Sequence, residues 1–239
     1  MVGKRKKNRL LTDAFREVRN TRSRFLSILI LSALAVAFLS GIKITAPDMQ
    51  YTADQFYDKL NLMDGYVLST LGLVDEDIEV LKDVPGIADV EGGYTLDAKA
   101  LDGVVLVRSM PDRMNLLESV RGHLPEASNE CVTEEKLLIE LGVEIGDSIT
   151  LVTSEDNEDA LEQNTYTIVG TVTSPLYMGT DRGTSSLGTG SVDGFVYIPK
   201  ENFTWDYYTV AFFTVDEMMS MNCYSDEYDD QIDALIDSM

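Results

Sequence analysis

The chain carries one histidine, His123, and two cysteines, Cys131 and Cys223, so nucleophilic or metal chemistry has few places to start. A Ser/His/Asp triad needs its histidine between an acid and a nucleophile. His123 stands in the loop-like run RGHLPE, and no Gly-x-Ser-x-Gly elbow accompanies it. Zinc sites draw on closely spaced Cys and His ligands, and neither cysteine has a Cys-x-x-Cys or Cys/His partner. The two cysteines are left open between free thiols and one disulfide. Gly183 and Gly188 have the spacing that opens a phosphate loop, but Thr189 occupies the lysine position and a strand follows where a helix is required. The acidic tract Ser154 to Glu162 lacks the turn glycine and the bidentate glutamate of a calcium loop. Among 41 acidic residues no carboxylate pair stands out for glycoside hydrolysis. The sequence thus offers no catalytic, cofactor-binding or metal-binding residue, and the chain reads as a non-enzyme.

One loop invites a binding role. Met178 to Gly194 is rich in Gly, Ser and Thr and holds Arg182, the only basic residue between Lys136 and Lys200. A guanidinium among backbone and hydroxyl donors from Gly183, Ser185, Gly188 and Gly190 is a candidate site for an anionic or peptide partner. The plainer reading is a mobile loop whose arginine pairs with local acids.

Charge and hydropathy say where these groups are held. Nine of the 19 basic residues fall in the first 24 positions against Asp13 and Glu17, which makes that segment +7 and the remainder −29 out of a net −22. A body this acidic repels a phosphate backbone, so nucleic acid is excluded as its partner. The sign changes at the uncharged run Phe25 to Ile42, between Arg24 and Lys43. Eighteen helical residues span about 27 Å, close to the ~30 Å of a bilayer core. Eleven of them are Leu, Ile, Val or Phe, each favouring insertion by ~0.3–0.6 kcal/mol. The basic flank places the N-terminus in the cytoplasm and Lys43 to Met239 outside. The 24-residue basic region, the 18-residue apolar run and the lack of an A-x-A triplet just after that run, Ala33 to Ala35 and Ala35 to Ala37 lying inside it, favour a retained span over a cleaved signal. Ala33, Ala37 and Gly41 form a small-residue stripe suited to packing against another transmembrane helix. Before the span, Leu10, Leu11, Ala14, Phe15 and Val18 share one helical face flanked by Arg9, Arg16 and Arg19, an amphipathic segment for anionic membrane lipid.

Beyond the span, Met49, Ala53, Phe56 and Leu60 repeat at helical spacing. Gly65 to Thr70 reads as a strand, and Asp75 can cap a short helix. Pro85-Gly86 marks a turn, with Ile87 to Ala98 and Val104 to Arg108 strand-like. This order predicts an α+β unit. Near Asn115 the texture changes. Thr133 can cap a helix ending at Gly142, and strand-like runs follow at Ser148 to Thr153, Tyr166 to Ser174 and Phe195 to Ile198. Tyr207 to Val215 is a further strand that can return to the first unit. Tyr228, Ile232, Leu235, Ile236 and Met239 line one face of a final acidic helix.

The segments RNTRSRFLSILILSALAVAFLSGIK, DGYVLSTLGLVDEDIEVLKDVPGIADVEGGY, GHLPEASNECVTEEKLLIELGVEIGDSITL and SPLYMGTDRGTSSLGTGSVDGFVYIPKENF, in this order, resemble the N-terminal part of FtsX-like (MacB-like) ABC transporter permeases, the last in a form common in Gram-positive bacteria. The resemblance implies one transmembrane helix followed by an extracytoplasmic, ferredoxin-like porter subdomain with an inserted β-rich subdomain. On that pattern residues 1–24 are the cytoplasmic foot, 25–42 the span, 43–114 with 205–239 the porter-like part and the start of a helical extension, and 115–204 the insert. It also implies a cell-membrane location, a separate ABC-type ATPase subunit, a second permease copy or homologue, and mechanotransmission, in which ATP hydrolysis moves the external domain. Family permeases have three further spans, so the chain reads as a fragment; the alternative is a single-pass anchored binding or sensor module.

Overall fold

The computed structural model describes residues 12–13, 16–17, 19, 21–188, 190–216, 218 and 221–238. The amphipathic stripe expected at Leu10, Leu11, Ala14, Phe15 and Val18 lies outside the described residues. The chain forms two compact units, Met1–Thr52 and Ala53–Met239.

The first unit is dominated by helix α1, Arg22–Lys59, whose last turns from Ala53 belong to the second. Leu, Ala and Ile supply good helix formers with no competing polar side chains, and the helix is long and apolar enough to cross a membrane. Phe25 to Ile42 is exposed along its length, as a lipid-facing surface must be. The helix runs through Pro47, whose missing N–H removes one backbone bond.

The second unit holds two sheets. In the smaller one, β1 (Gly65–Leu73) and β2 (Ile87–Gly93) flank β10 (Tyr208–Val215), and both pair antiparallel with it. β1 and β2 are therefore parallel to each other, joined by helix α2 (Asp75–Lys82). Helix α4 (Asp226–Ser238) follows β10. Ile78 from α2, Val90 from β2, Ala211, Phe213 and Val215 from β10, and Leu235 from α4 form the core of this half. Tyr228 and Ile232 pack against it, while Ile236, expected on the same stripe, is exposed. Val74, not Asp75, stands at the N-cap of α2, and its N–H donates to the Asp77 carboxylate at 2.9 Å.

The larger sheet runs β5 (Glu118–Gly122), β8 (Thr165–Thr173), β6 (Glu130–Thr133), β9 (Gly194–Ile198), β4 (Gly103–Ser109), β3 (Thr95–Ala100) and β7 (Ser148–Val152). β7 also pairs with the start of β8, Ile149 opposite Tyr166, so six strands close on themselves and only β5 remains outside the ring. Alternate residues point inward: Ala98, Ala100, Val105, Val107, Cys131, Leu151, Ile168 and Val196 are all fully buried in one cluster. Helix α3 (Glu135–Leu141) covers it with Leu137 and Leu138. It ends as expected at Gly142, in the left-handed region at φ 67°.

The strand-like run Ile87 to Ala98 thus serves two sheets, dividing at Tyr94. β3 and β4 pair with β7 and β9 rather than staying with the first α+β unit. Ala98 and Ala100 explain the choice, since small inward side chains suit the narrow interior of a six-stranded ring. Thr133 sits inside β6 with its hydroxyl donating to the Phe195 carbonyl at 2.6 Å, so it does not cap α3, whose N-cap is Glu134. Where the chain enters and leaves the ring, Tyr94 stacks on Phe203 at 4.9 Å and lies against Tyr208 at 5.4 Å.

Candidate functional site

At the entrance to the folded unit, two carboxylates tie the end of α1 to the segment that leads into α4. Asp54 is buried; it accepts from the Cys223 N–H at 2.8 Å and from the Asn222 amide at 3.3 Å. Ten residues on, Asp64 accepts from the Val215 N–H at 2.7 Å and the Tyr228 hydroxyl at 2.5 Å. Helix α1 brings the first acid, the turn after it brings the second, and both hold groups more than 150 residues away. A cavity of about 240 Å³ opens beside them, lined by Tyr57, Asp58, Asp64, Met218, Met221 and Tyr228 among others.

The electrostatics follow from many acids and phenols with no cation among the lining residues. Burial and the hydrogen bond to Tyr224 raise Tyr57 to about 12. Burial, then the hydrogen bond and charge of Asp64, push Tyr228 up further. The Cys223 thiol rises to about 12 through burial and its contact with Asp54, and Asp58 moves above its ordinary range through burial and the charge of Asp54. The two phenols and the thiol are held in their neutral forms, and the junction is a hydrogen-bonded clamp. Sequence reading did not single out Asp54 or Asp64, because their partners are remote in the chain and no local motif marks them.

The second region is the Arg182 loop on the wall of the ring. The Arg182 guanidinium meets the Glu134 carboxylate in a bidentate pair, Nε to Oε1 at 2.8 Å and Nη2 to Oε2 at 2.6 Å. The two side chains are only 6% and 9% exposed. Nη1 donates to the carbonyls of Gly179 and Asp181, and the guanidinium carbon lies 5.3 Å from the Tyr177 ring centroid. These bonds to Glu134 raise the Arg182 pKa still further. Gly183 and Gly190 adopt positive φ values of 92° and 90°. Gly188, at φ 56°, comes so close to β4 that a Cβ would fall 2.6 Å from Val104 Cγ2. The Ser185 hydroxyl accepts from the Leu187 N–H at 3.0 Å. The loop is therefore pinned at several points, and four guanidinium N–H groups of Arg182 already face protein acceptors.

Ala33, Ala37 and Gly41 lie four residues apart on α1 and are exposed, with nothing within 4 Å of a Cβ added at Gly41. His123 is exposed, its Nδ1 near the Leu124 carbonyl at 2.8 Å. Cys131 and Cys223 are free thiols; burial in the ring raises Cys131 to about 12. Among the described residues no group of His, Cys, Asp or Glu is placed to hold a metal ion.

No protein-family model matches the chain, and no curated protein matches it. Solved structures do. The extracellular domain of the ABC-type transporter YknZ from Gram-positive bacteria matches at 14% identity and TM-score 0.41, covering 70% of this chain and 80% of that one. The periplasmic region of MacB from Actinobacillus actinomycetemcomitans matches at 10% identity and TM-score 0.36, over 72% and 73% of the two chains. The chain is similar to external domains of ABC-type transporters. A domain of a putative permease protein from Porphyromonas gingivalis gives 14% identity and TM-score 0.33, over 75% and 79%. No residue role is carried from them to this chain.

Proposed function

We propose that the chain is the N-terminal part of an ABC transporter permease: a basic cytoplasmic foot, a first transmembrane helix, and an extracytoplasmic domain moved by ATP hydrolysis in a separate subunit. The observation that carries this reading is the return of β10 between β1 and β2. β1, α2, β2, β10 and α4 reproduce five of the six elements of a ferredoxin-like β-α-β-β-α-β unit, with its split β-α-β arrangement. The ring of β3 to β9 is inserted between the second and third strands. That is the layout the sequence resemblance implies for a porter subdomain with a β-rich insert. In a complete unit a sixth element would pair with the free edge of β1, where Tyr66, Leu68 and Leu71 are exposed.

The clamp at Asp54 and Asp64 gives the domain a mechanical connection between its incoming and outgoing segments. A domain inserted between membrane spans receives force at these two segments, and a change in either one reaches the other through two carboxylates. The sequence holds no phosphate-loop motif, and on this reading the energy comes from a partner.

The test is affinity purification of the tagged protein from native membranes in mild detergent. Recovery of a P-loop ATPase in a fixed ratio supports the reading. Recovery of the intact chain without any ATPase, under conditions that keep a known transporter assembled, contradicts it.

A further inference from the structure

Seven basic side chains of the second unit form ion pairs with acids: Lys59, Lys82, Arg113, Arg121, Lys136, Arg182 and Lys200. Arg108, on β4, is half-buried, yet among the described residues it has no carboxylate within 4.0 Å. In a body of charge −29 that is unusual. Its Nε donates to the Tyr177 hydroxyl at 2.7 Å, and its guanidinium carbon lies 5.5 Å from the Tyr177 ring centroid and 6.0 Å from that of Phe212. The rings hold the guanidinium plane, while among the described residues Nη1 and Nη2 have no hydrogen-bond acceptor.

A second unpaired donor belongs to a residue that lines the same cavity. Asn115 is 3% exposed; its Oδ1 accepts from the Met63 N–H at 3.1 Å, which fixes the orientation of the amide. The Nδ2 is left buried with no partner. A buried donor left without an acceptor loses the hydrogen bond it made to water in the unfolded chain, so a group that accepts from it has a reason to bind. Arg108 and Asn115 line one small cavity between the two sheets, with Tyr94, Pro111, Leu176 and Phe212 as its walls. Glu91 also lines it, but its two oxygens already accept from the N–H groups of Asp112, Arg113 and Met114 at 2.8–2.9 Å.

We infer that this cleft is a carboxylate-binding site, in which one carboxylate oxygen enters to meet Asn115 Nδ2 and the other stays at the mouth with Arg108. The size decides the class. The cavity has room for one water-sized atom, about 20 Å³, so a planar carboxylate can send in one oxygen and keep the other beside Arg108, whereas a tetrahedral phosphate brings further oxygens against the aromatic and proline walls. A free guanidinium N–H makes a charge-assisted hydrogen bond to the carboxylate oxygen at the mouth, and the aromatic and proline walls suit the apolar stem behind it. A peptide C-terminus and an acidic side chain present the same chemistry.

The test uses the full chain in detergent micelles at constant ionic strength, with line broadening of the acetate methyl resonance as the direct readout. Wild type should broaden acetate saturably, and inorganic phosphate should not displace it. Arg108→Gln should weaken binding at least tenfold. Asn115→Asp, which keeps the acceptor toward Met63 but replaces the donor by an oxygen, should do the same. Continued protection of Cys131 from thiol reagents verifies that each variant is folded. A short peptide with a free C-terminus, compared with its amidated form and with an amidated peptide ending in Glu, separates the two sources of carboxylate. Equal acetate binding by wild type and Arg108→Gln, displacement by phosphate as effective as by acetate, or no broadening by folded wild type, as for a cleft that holds only water, would each overturn the assignment.

Discussion

The six-stranded ring of β3, β4 and β6 to β9 and the split sheet of β1, β2 and β10 are built from the same kinds of strand but hold together by different means. In the ring, strand edges satisfy one another, and the interior is a closed set of small and branched side chains around Tyr166 and Ile168. A buried ion pair, Arg182 with Glu134, lies on the wall and fastens a loop. The split sheet has two open edges, and its helices are secured at the rim by single carboxylates reaching across the chain. A closed ring resists deformation because any opening breaks several pairings together. A sheet whose cover is clamped by hydrogen bonds can release a helix at the cost of a few bonds. The difference assigns rigidity to the ring and compliance to the sheet and helix that follow α1.

The contrast is most open to challenge at the ion pair. Arg182→Ala leaves Glu134 buried and uncompensated, so denaturant unfolding should show the ring destabilised by about 3 kcal/mol. Replacing both residues by apolar ones of similar size should recover most of that loss. The next effect is at the clamp. Asp64→Ala removes the acceptor for both Val215 and Tyr228 and should cost about 2 kcal/mol, read as faster amide exchange in α4 with no change in β3 to β9. Should the exchange of the ring rise equally, the two halves unfold as one and the contrast fails.

The two cysteines give an internal gauge of the same point. Cys131 reports on the ring and Cys223 on the clamp, and both thiols are raised to about 12. Pulsed alkylation at pH 8 should modify Cys223 first, and Asp54→Asn should accelerate it while leaving Cys131 protected. The smallest effect concerns Asp58. Its folded pKa lies above the unfolded value, so the native state binds more protons between the two. Stability is unaffected below the unfolded pKa, near 4, and falls as pH rises through the window up to the folded value. Asp58→Asn should remove that penalty, a gain of no more than about 0.5 kcal/mol at pH 7 for a group this exposed, and none at pH 3. Thermal unfolding of both forms at the two pH values measures it.

Local chemistry made much of this legible in sequence. The apolar run marked α1, β-branched alternation marked β7 and β8, and Gly142 marked the end of α3. What local chemistry cannot carry is pairing across long separations. β6 has only four residues and β5 has four exposed positions out of five, so neither shows a pattern; both exist because β8 pairs with them. Ile87 to Ala98 looks like one strand because Tyr94, where it changes sheets, is as good a strand former as its neighbours. The Arg182 loop could be found from its composition, but not its partner: Glu134 is 48 residues away and reads as an ordinary first-turn acid. Asp54 and Arg108 carry no local signal, since one becomes a clamp and the other an unpaired cation only through tertiary placement.

Hydrogen exchange on the proposed complex of this chain with a copurified ATPase in nanodiscs, with and without ATP turnover, addresses the proposed coupling directly. ATP turnover should alter exchange in residues 53–64 and in α4, while β3 to β9 keep their protection. Identical exchange throughout the chain while ATP is being hydrolysed, or changes confined to the ring, would contradict a role for this domain as the moving part.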